Sequence, residues 1–174
     1  DEIYEKFCYD GECVSIARHY DRTLLLRGFS KSYGMPGWRL AYVAANESLR
    51  EVVEEMTKMQ QYTFVCAPTP FQRAAITALD CDVSDVVDAY RTKRDLIYEG
   101  LRDKFELVKP GGAFYAFVRA PGGRATAFVE KAIKNNVLII PGKVFSEKDT
   151  HFRISYATSD EKIRQGVEIL RGLA

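Results

Sequence analysis

Two apolar segments joined by a glycine-rich loop constrain the fold of this chain most strongly. The first, residues 23–29, contains three consecutive leucines and ends in Gly28 and Ser30, which predicts a buried strand that opens into a loop. Residues 34–37 (Gly-Met-Pro-Gly) predict a turn, and residues 38–45 are again largely apolar. We therefore expect the chain to turn back after the first strand and to form a second one.

Lys31 lies in the loop directly after the first segment, at the end of a strand where α/β sheets place their ligands. A lysine in a desolvated or cationic setting can form a Schiff base with an aldehyde. Arg39 offers such a setting and a planar fork of donors for phosphate oxygens, and Ser30 can add a neutral donor. Pyridoxal phosphate, an aldehyde that carries a phosphate, fits this set, although a lone lysine at a strand end is more often a solvated charge.

The complete run of residues 28–41, GFSKSYGMPGWRLA, resembles the lysine signature of the class I and II pyridoxal-phosphate-dependent aminotransferases. Residues 1–4 are similar to the cofactor-contacting strand end of this family, and residues 152–157 to its carboxylate-binding strand. The resemblance implies an α/β chain that forms the C-terminal part of a fold type I transferase. Residues 1–84 would be the end of the large cofactor-binding domain, and residues 85–174 the small α+β domain.

The resemblance also implies a role for each matching residue of the first segment. Lys31 is the expected catalytic residue, which anchors the cofactor aldehyde and later moves a proton as an acid and base. Asp1 is expected to pair with the pyridine nitrogen and keep it protonated, and Tyr4 to donate a hydrogen bond to the phenolic oxygen of the ring. Ser30 and Arg39 are expected to bind the phosphate.

Arg153 resembles the arginine that binds the substrate α-carboxylate through paired hydrogen bonds. Strand alternation places its side chain on the opposite face from Phe152 and Ile154. The implied substrates are an amino acid and a 2-oxo acid, and the implied protein is an aspartate aminotransferase-like homodimer of the cytoplasm.

Position 1 already corresponds to a cofactor contact of the family, so we expect the chain to be a C-terminal fragment. Such a fragment would lack half of the active site and would be inactive or nearly so by itself. Two alternatives to the aminotransferase stay open. One is a lyase on the same scaffold, and the other is a non-catalytic regulatory or dimerisation module with this fold.

Composition excludes several other classes of function. The chain has a net charge of +1, with 28% charged and 47% hydrophobic residues, and no block of like charges, which argues against a nucleic-acid or membrane partner. No apolar stretch is long enough to span a membrane. The four cysteines form no Cys-x-x-Cys pair and only two histidines are present, so no metal site is predicted and free thiols in a reducing cytoplasm are expected.

Periodicity and turn signals predict the remaining elements. Asn46 is expected to cap the first helix, whose Met56 and Met59 side chains are expected to fill the core. Thr158 is expected to begin a capping box at the start of the last helix. The predicted helices are residues 46–61, 69–79, a long one from Ser84, 125–134 and 161–170. The predicted strands after the first pair are residues 106–109, 113–118, 137–140 and 152–156.

Overall fold

The computed structural model describes residues 1–174 and contains two sheets, one of two strands and one of three. Contacts divide the chain into two units, Asp1–Val86 and Val87–Ala174, and each is described by itself. The α3 helix, Ser84–Leu101, begins in the first unit and continues into the second.

The first unit is built on a β-hairpin. The β1 strand, Leu24–Gly28, pairs antiparallel with β2, Ala41–Ala45. The α1 helix, Arg50–Thr63, and the α2 helix, Thr69–Leu79, follow. A small cluster of Phe29, Leu40 and Ala75 is buried between the hairpin end and α2, with partly buried side chains around it (Tyr33, Met35, Tyr42, Ala67, Phe71, Ala78).

The second unit contains the three-stranded antiparallel sheet in the order β3-β5-β4. Its strands are β3, Tyr115–Arg119, β4, Ile140–Pro141, and β5, His151–Ser155, and its helices besides α3 are α4, Ala125–Lys134, and α5, Asp160–Leu173. One sheet face and the helices enclose a continuous apolar core whose central side chains are fully buried (Leu101, Val118, Phe152, Tyr156).

Several strand boundaries differ from the predictions, for local backbone reasons. The second strand begins at Ala41 rather than at residue 38, because residues 36–38 form a single 3-10 turn and Arg39 adopts a left-handed φ of 51°. The predicted strand at 106–109 is absent, and Leu107 makes only one isolated bridge, to Val118. Ala113, at φ 56°, delays the start of β3 to Tyr115.

The two predicted helix caps are also wrong. Asn46 stands at the N-cap position of a 3-10 turn, Glu47–Leu49, that leads into α1, but its side chain makes no capping hydrogen bond and its amide donates to the Asp21 carbonyl at 3.1 Å. At α5 the capping residue is Ser159 rather than Thr158, and its hydroxyl accepts from the Lys162 amide at 3.4 Å.

The apolar face of α1 is not covered within the first unit, where the prediction had placed it in a core. The helix contains no buried residue, and Met56 and Met59 are 39% and 69% exposed. The prediction that these two methionines fill a core is therefore wrong for the described chain.

Candidate active site

The turn between β1 and β2 carries Lys31, and the strand register determines where that turn lies. Gly28 pairs with Ala41, and the Phe29 amide donates to the Leu40 carbonyl at 3.2 Å, which continues the same register beyond the strands. Ser30 and Arg39 are the residues that follow this last backbone hydrogen bond on the two sides of the turn. The expectation that the chain returns alongside the first strand is confirmed by this pairing.

Buried aromatic packing fixes the start of the loop. Phe29 is 3% exposed, and its ring lies 5.3 Å from the Tyr33 ring and 6.0 Å from the Tyr42 ring between centroids. Two backbone hydrogen bonds close the loop, from Gly34 to the Lys31 carbonyl and from Met35 to the Phe29 carbonyl, both 3.1 Å. The Lys31 backbone is thus held in an ordered turn.

Arg39 occupies an unusual backbone position at the end of this turn. A left-handed φ costs a non-glycine residue roughly 1–2 kcal/mol, because its Cβ approaches the following carbonyl oxygen. Its exposed side chain bends over the turn, where Nη1 donates to the Pro36 carbonyl at 2.9 Å. A strained arginine at this position suggests a functional constraint.

The N-terminal segment is fastened to the edge of β1. The Glu2 amide donates to the Leu26 carbonyl at 2.8 Å. Arg27, partly buried in the middle of β1, forms ion pairs with Glu2 at 3.0 Å and Glu5 at 2.6 Å. The Ser15 hydroxyl and the Arg27 guanidinium, both bonded to the Glu2 carboxylate, hold the pKa of Glu2 below its ordinary value.

This attachment brings Tyr4 to Lys31. The Lys31 Nζ atom lies 5.8 Å from the centroid of the Tyr4 ring, within the range of a cation–π contact. Asp1 is exposed, and its Oδ1 atom accepts from the Ile3 amide at 3.0 Å. The Arg27 tether was missed by the sequence reasoning, although one arginine inside an apolar strand and two glutamates upstream were a visible signal.

Arg153 lies in the second unit, on the solvent side of β5. Phe152 is fully buried and Ile154 is 6% exposed, so the predicted alternation is confirmed. The Arg153 Cζ atom lies 4.5 Å from the centroid of the Tyr115 ring and 4.4 Å from that of the Phe145 ring. Neither ring had been connected with Arg153 from the sequence.

Comparison with known proteins identifies the family. A family model described as "Aminotransferase class I and II" matches residues 1–170. The chain is 40% identical, over 98% of its length, to a probable aspartate aminotransferase of Methanocaldococcus jannaschii, of which it covers 48%. It is 36% identical, over 97% of its length, to aromatic-amino-acid aminotransferase 2 of Thermococcus litoralis, of which it covers 46%. The chain belongs to the class I and II aminotransferase family.

The fold agrees with that assignment. The solved structure of an aromatic aminotransferase from Pyrococcus horikoshii OT3 superimposes with a TM-score of 0.92 at 36% identity, covering 99% of this chain and 49% of that one. The predicted family and fold class are therefore confirmed. The chain spans about half the length of the curated relatives it matches.

Three further observations on the described chain concern membrane spans, metal ligands and thiols. Its helices are all too short or too polar to cross a membrane. Its histidine, cysteine and acidic side chains form no group that could hold a metal ion. The four cysteines are unpaired thiols.

Gly28 provides a direct test of how the N-terminal segment packs against β1. An added Cβ would lie 2.8 Å from Ile3 Cδ1 and 3.2 Å from Ala41 Cβ, so we expect Gly28→Ala to reduce the free energy of unfolding by about 1–3 kcal/mol. It should also speed amide hydrogen exchange at Glu2, whose partner is the Leu26 carbonyl. Gly37→Ala is the matched control, because a Cβ there meets nothing within 4 Å. Equal exchange at Glu2 in both variants would contradict this packing.

Proposed function

We propose that the complete protein containing this chain is a pyridoxal-phosphate-dependent amino-acid aminotransferase, similar to aspartate aminotransferases. It transfers an amino group from an amino acid to a 2-oxo acid. The observation that carries the proposal is the Lys31 amine, which stands 5.8 Å from the Tyr4 ring centroid on the loop that leaves β1. Membership of the family over residues 1–170 supports it. Because the chain spans about half the length of its relatives, the activity is assigned to the complete protein.

The donors and acceptors around the turn have the chemistry that pyridoxal 5'-phosphate requires. The Ser30 hydroxyl and the Arg39 guanidinium, on the two sides of the turn that joins β1 and β2, would bind the phosphate. The Tyr4 hydroxyl would donate to the phenolic oxygen of the cofactor ring, and the Asp1 carboxylate would accept from the pyridine nitrogen. The bound cofactor supplies an electron sink for the substrate α-carbon.

Lys31 performs two tasks in this assignment. Its amine would hold the cofactor through the aldehyde group. The same amine would serve as the base that takes the proton from the substrate α-carbon and as the acid that returns it. The ordered turn keeps the lysine backbone in place while the side chain changes partners.

Arg153 binds the α-carboxylate of both the amino acid and the 2-oxo acid. Its guanidinium can place two donors against the two carboxylate oxygens. In this assignment residues 1–84 belong to the large domain and residues 85–174 to the small domain. The complete protein acts as a cytoplasmic homodimer, as the family resemblance implies.

Loss of Lys31 tests the catalytic assignment. In the complete protein with cofactor, we expect Lys31→Ala to lower kcat for transamination by at least about 100-fold, because the anchor and the proton carrier disappear together. Lys6→Ala, at an exposed lysine, is the control and should keep the parent rate. Chromatography of the products decides the reaction. An unchanged transamination rate in Lys31→Ala would contradict the catalytic role of Lys31. An α,β-elimination product from the parent protein would contradict the aminotransferase assignment.

The strained backbone of Arg39 allows a second test that separates binding from stability. Arg39→Gly removes the Cβ conflict at φ 51°, so the free energy of unfolding should stay unchanged or rise by up to about 1 kcal/mol. Affinity for pyridoxal phosphate should fall about 10- to 100-fold with the lost charged hydrogen bonds. Asn136→Gly, at φ 63° in the second unit, is the control that relieves strain and leaves cofactor affinity unchanged. Unchanged cofactor affinity in Arg39→Gly would contradict the phosphate role.

A further inference from the structure

Two aromatic rings cover the guanidinium of Arg153, and we call Tyr115 and Phe145 the aromatic clamp. The Arg153 Cζ atom is 4.5 Å from one ring centroid and 4.4 Å from the other. Distances this short place the flat cation against ring faces, where the negative side of each aromatic quadrupole attracts it. Arg153 is therefore held by cation–π contacts to two ring faces.

Cation–π contacts do not use the N–H groups of a guanidinium as ordinary hydrogen-bond donors, so these groups can still bind an anion. Those donors point outward in the plane of the group, and a ring stacked above that plane accepts none of them in an ordinary hydrogen bond. A carboxylate partner in the same place would occupy two donors and neutralise the charge. The clamp thus orders the side chain while its donor edge remains able to bind an anion.

The fold supports each ring of the clamp separately. Tyr115 opens β3 opposite Ser155 and packs against Phe114, with 4.9 Å between ring centroids. Phe114 is 8% exposed, so this neighbour is fixed in the core. The first ring is therefore attached to the rigid part of the second unit.

Phe145 is placed by a tight turn against β5. Its amide donates to the Gly142 carbonyl at 2.8 Å. A Cβ at Gly142 would lie 2.5 Å from the His151 carbonyl oxygen, so only glycine lets the turn approach the strand this closely. The Ser146 amide also donates to the Gly142 carbonyl, at 3.0 Å. The turn is thus closed by the backbone amides of Phe145 and Ser146, which share the Gly142 carbonyl.

We propose that Tyr115 and Phe145 are positioning residues, which hold the Arg153 guanidinium plane so that its donor edge meets the substrate carboxylate. This inference rests on the proposed function, since it deepens the role assigned to Arg153. The clamp restricts the rotamers of a long side chain before the ligand arrives, and that preorganisation increases affinity. Its effect falls on the binding of carboxylates rather than on the proton transfers.

The test uses the complete protein with cofactor and two carboxylates that carry no amino group, succinate and 3-phenylpropionate. Whichever of them binds the parent more tightly serves as the probe in isothermal titration calorimetry. We expect Tyr115→Leu and Phe145→Leu each to weaken its binding about 3- to 10-fold, with KM raised and kcat changed less than 2-fold. Tyr115→Phe and Phe145→Tyr keep a ring face, and should bind within about 2-fold of the parent.

A second measurement tests, in the absence of any carboxylate ligand, whether the aromatic clamp orders the Arg153 side chain. The 15N heteronuclear NOE of the Arg153 Nε–H group, assigned by its loss in Arg153→Lys, should fall in both leucine variants and stay at the parent value in the ring-preserving ones. A leucine variant that binds the probe as tightly as the parent, or keeps the Arg153 NOE, overturns the inference while the proposed function stands. A parent that binds neither carboxylate and does not transaminate overturns both. Weaker binding that persists in full in an Arg153→Lys background also overturns the inference, because the rings then act on something else.

Discussion

The antiparallel register between β1 and β2 is the constraint on which the candidate site depends. It sets Gly28 against Ala41 and, one residue further along, Phe29 against Leu40, so that Ser30 and Arg39 flank the turn directly after the paired residues. The same glycine leaves room for Ile3, whose Cδ1 atom would be only 2.8 Å from a Cβ at position 28. A slip of one residue would turn each side chain of the hairpin to the other face and separate the loop from the N-terminal segment.

Three arginines in the chain are held in three different ways, and the difference bears on function. Arg27 is bound by the carboxylates of Glu2 and Glu5, which neutralise its charge and accept hydrogen bonds from it. Its role is therefore to hold the N-terminal segment against β1. Arg153 contacts two ring faces, which do not neutralise its charge. Arg39 gives one donor to a neutral carbonyl and retains its charge on an exposed turn. The latter two are the arginines assigned to anionic groups.

Local patterns were sufficient to predict part of the fold. The helices α2 and α4 begin and end at the predicted residues, because apolar periodicity and turn residues define them locally. The strand starts were missed where Arg39 and Ala113 adopt left-handed backbone angles, which the sequence does not signal at residues other than glycine. The exposed methionines of α1 show a further limit, since periodicity identifies an apolar face and says nothing of what covers it.

The candidate site shows the same division between local and long-range information. The run around Lys31 pointed to its chemistry, because amine, hydroxyl and guanidinium lie within one short segment. The tether from Arg27 to Glu2 and Glu5 joins residues more than twenty positions apart, and the rings against Arg153 come from a neighbouring strand and from the turn that precedes β5. Such contacts depend on the folded register, so they emerged only from the structure.

The central claim is that the amine of Lys31 is the single covalent anchor of the cofactor. Borohydride reduction of the complete protein with pyridoxal phosphate, followed by peptide mapping with mass spectrometry, tests it most directly. We expect a pyridoxyl group on the peptide that contains Lys31 and on no other lysine. A stable adduct on a different lysine, or no adduct at all, would contradict it.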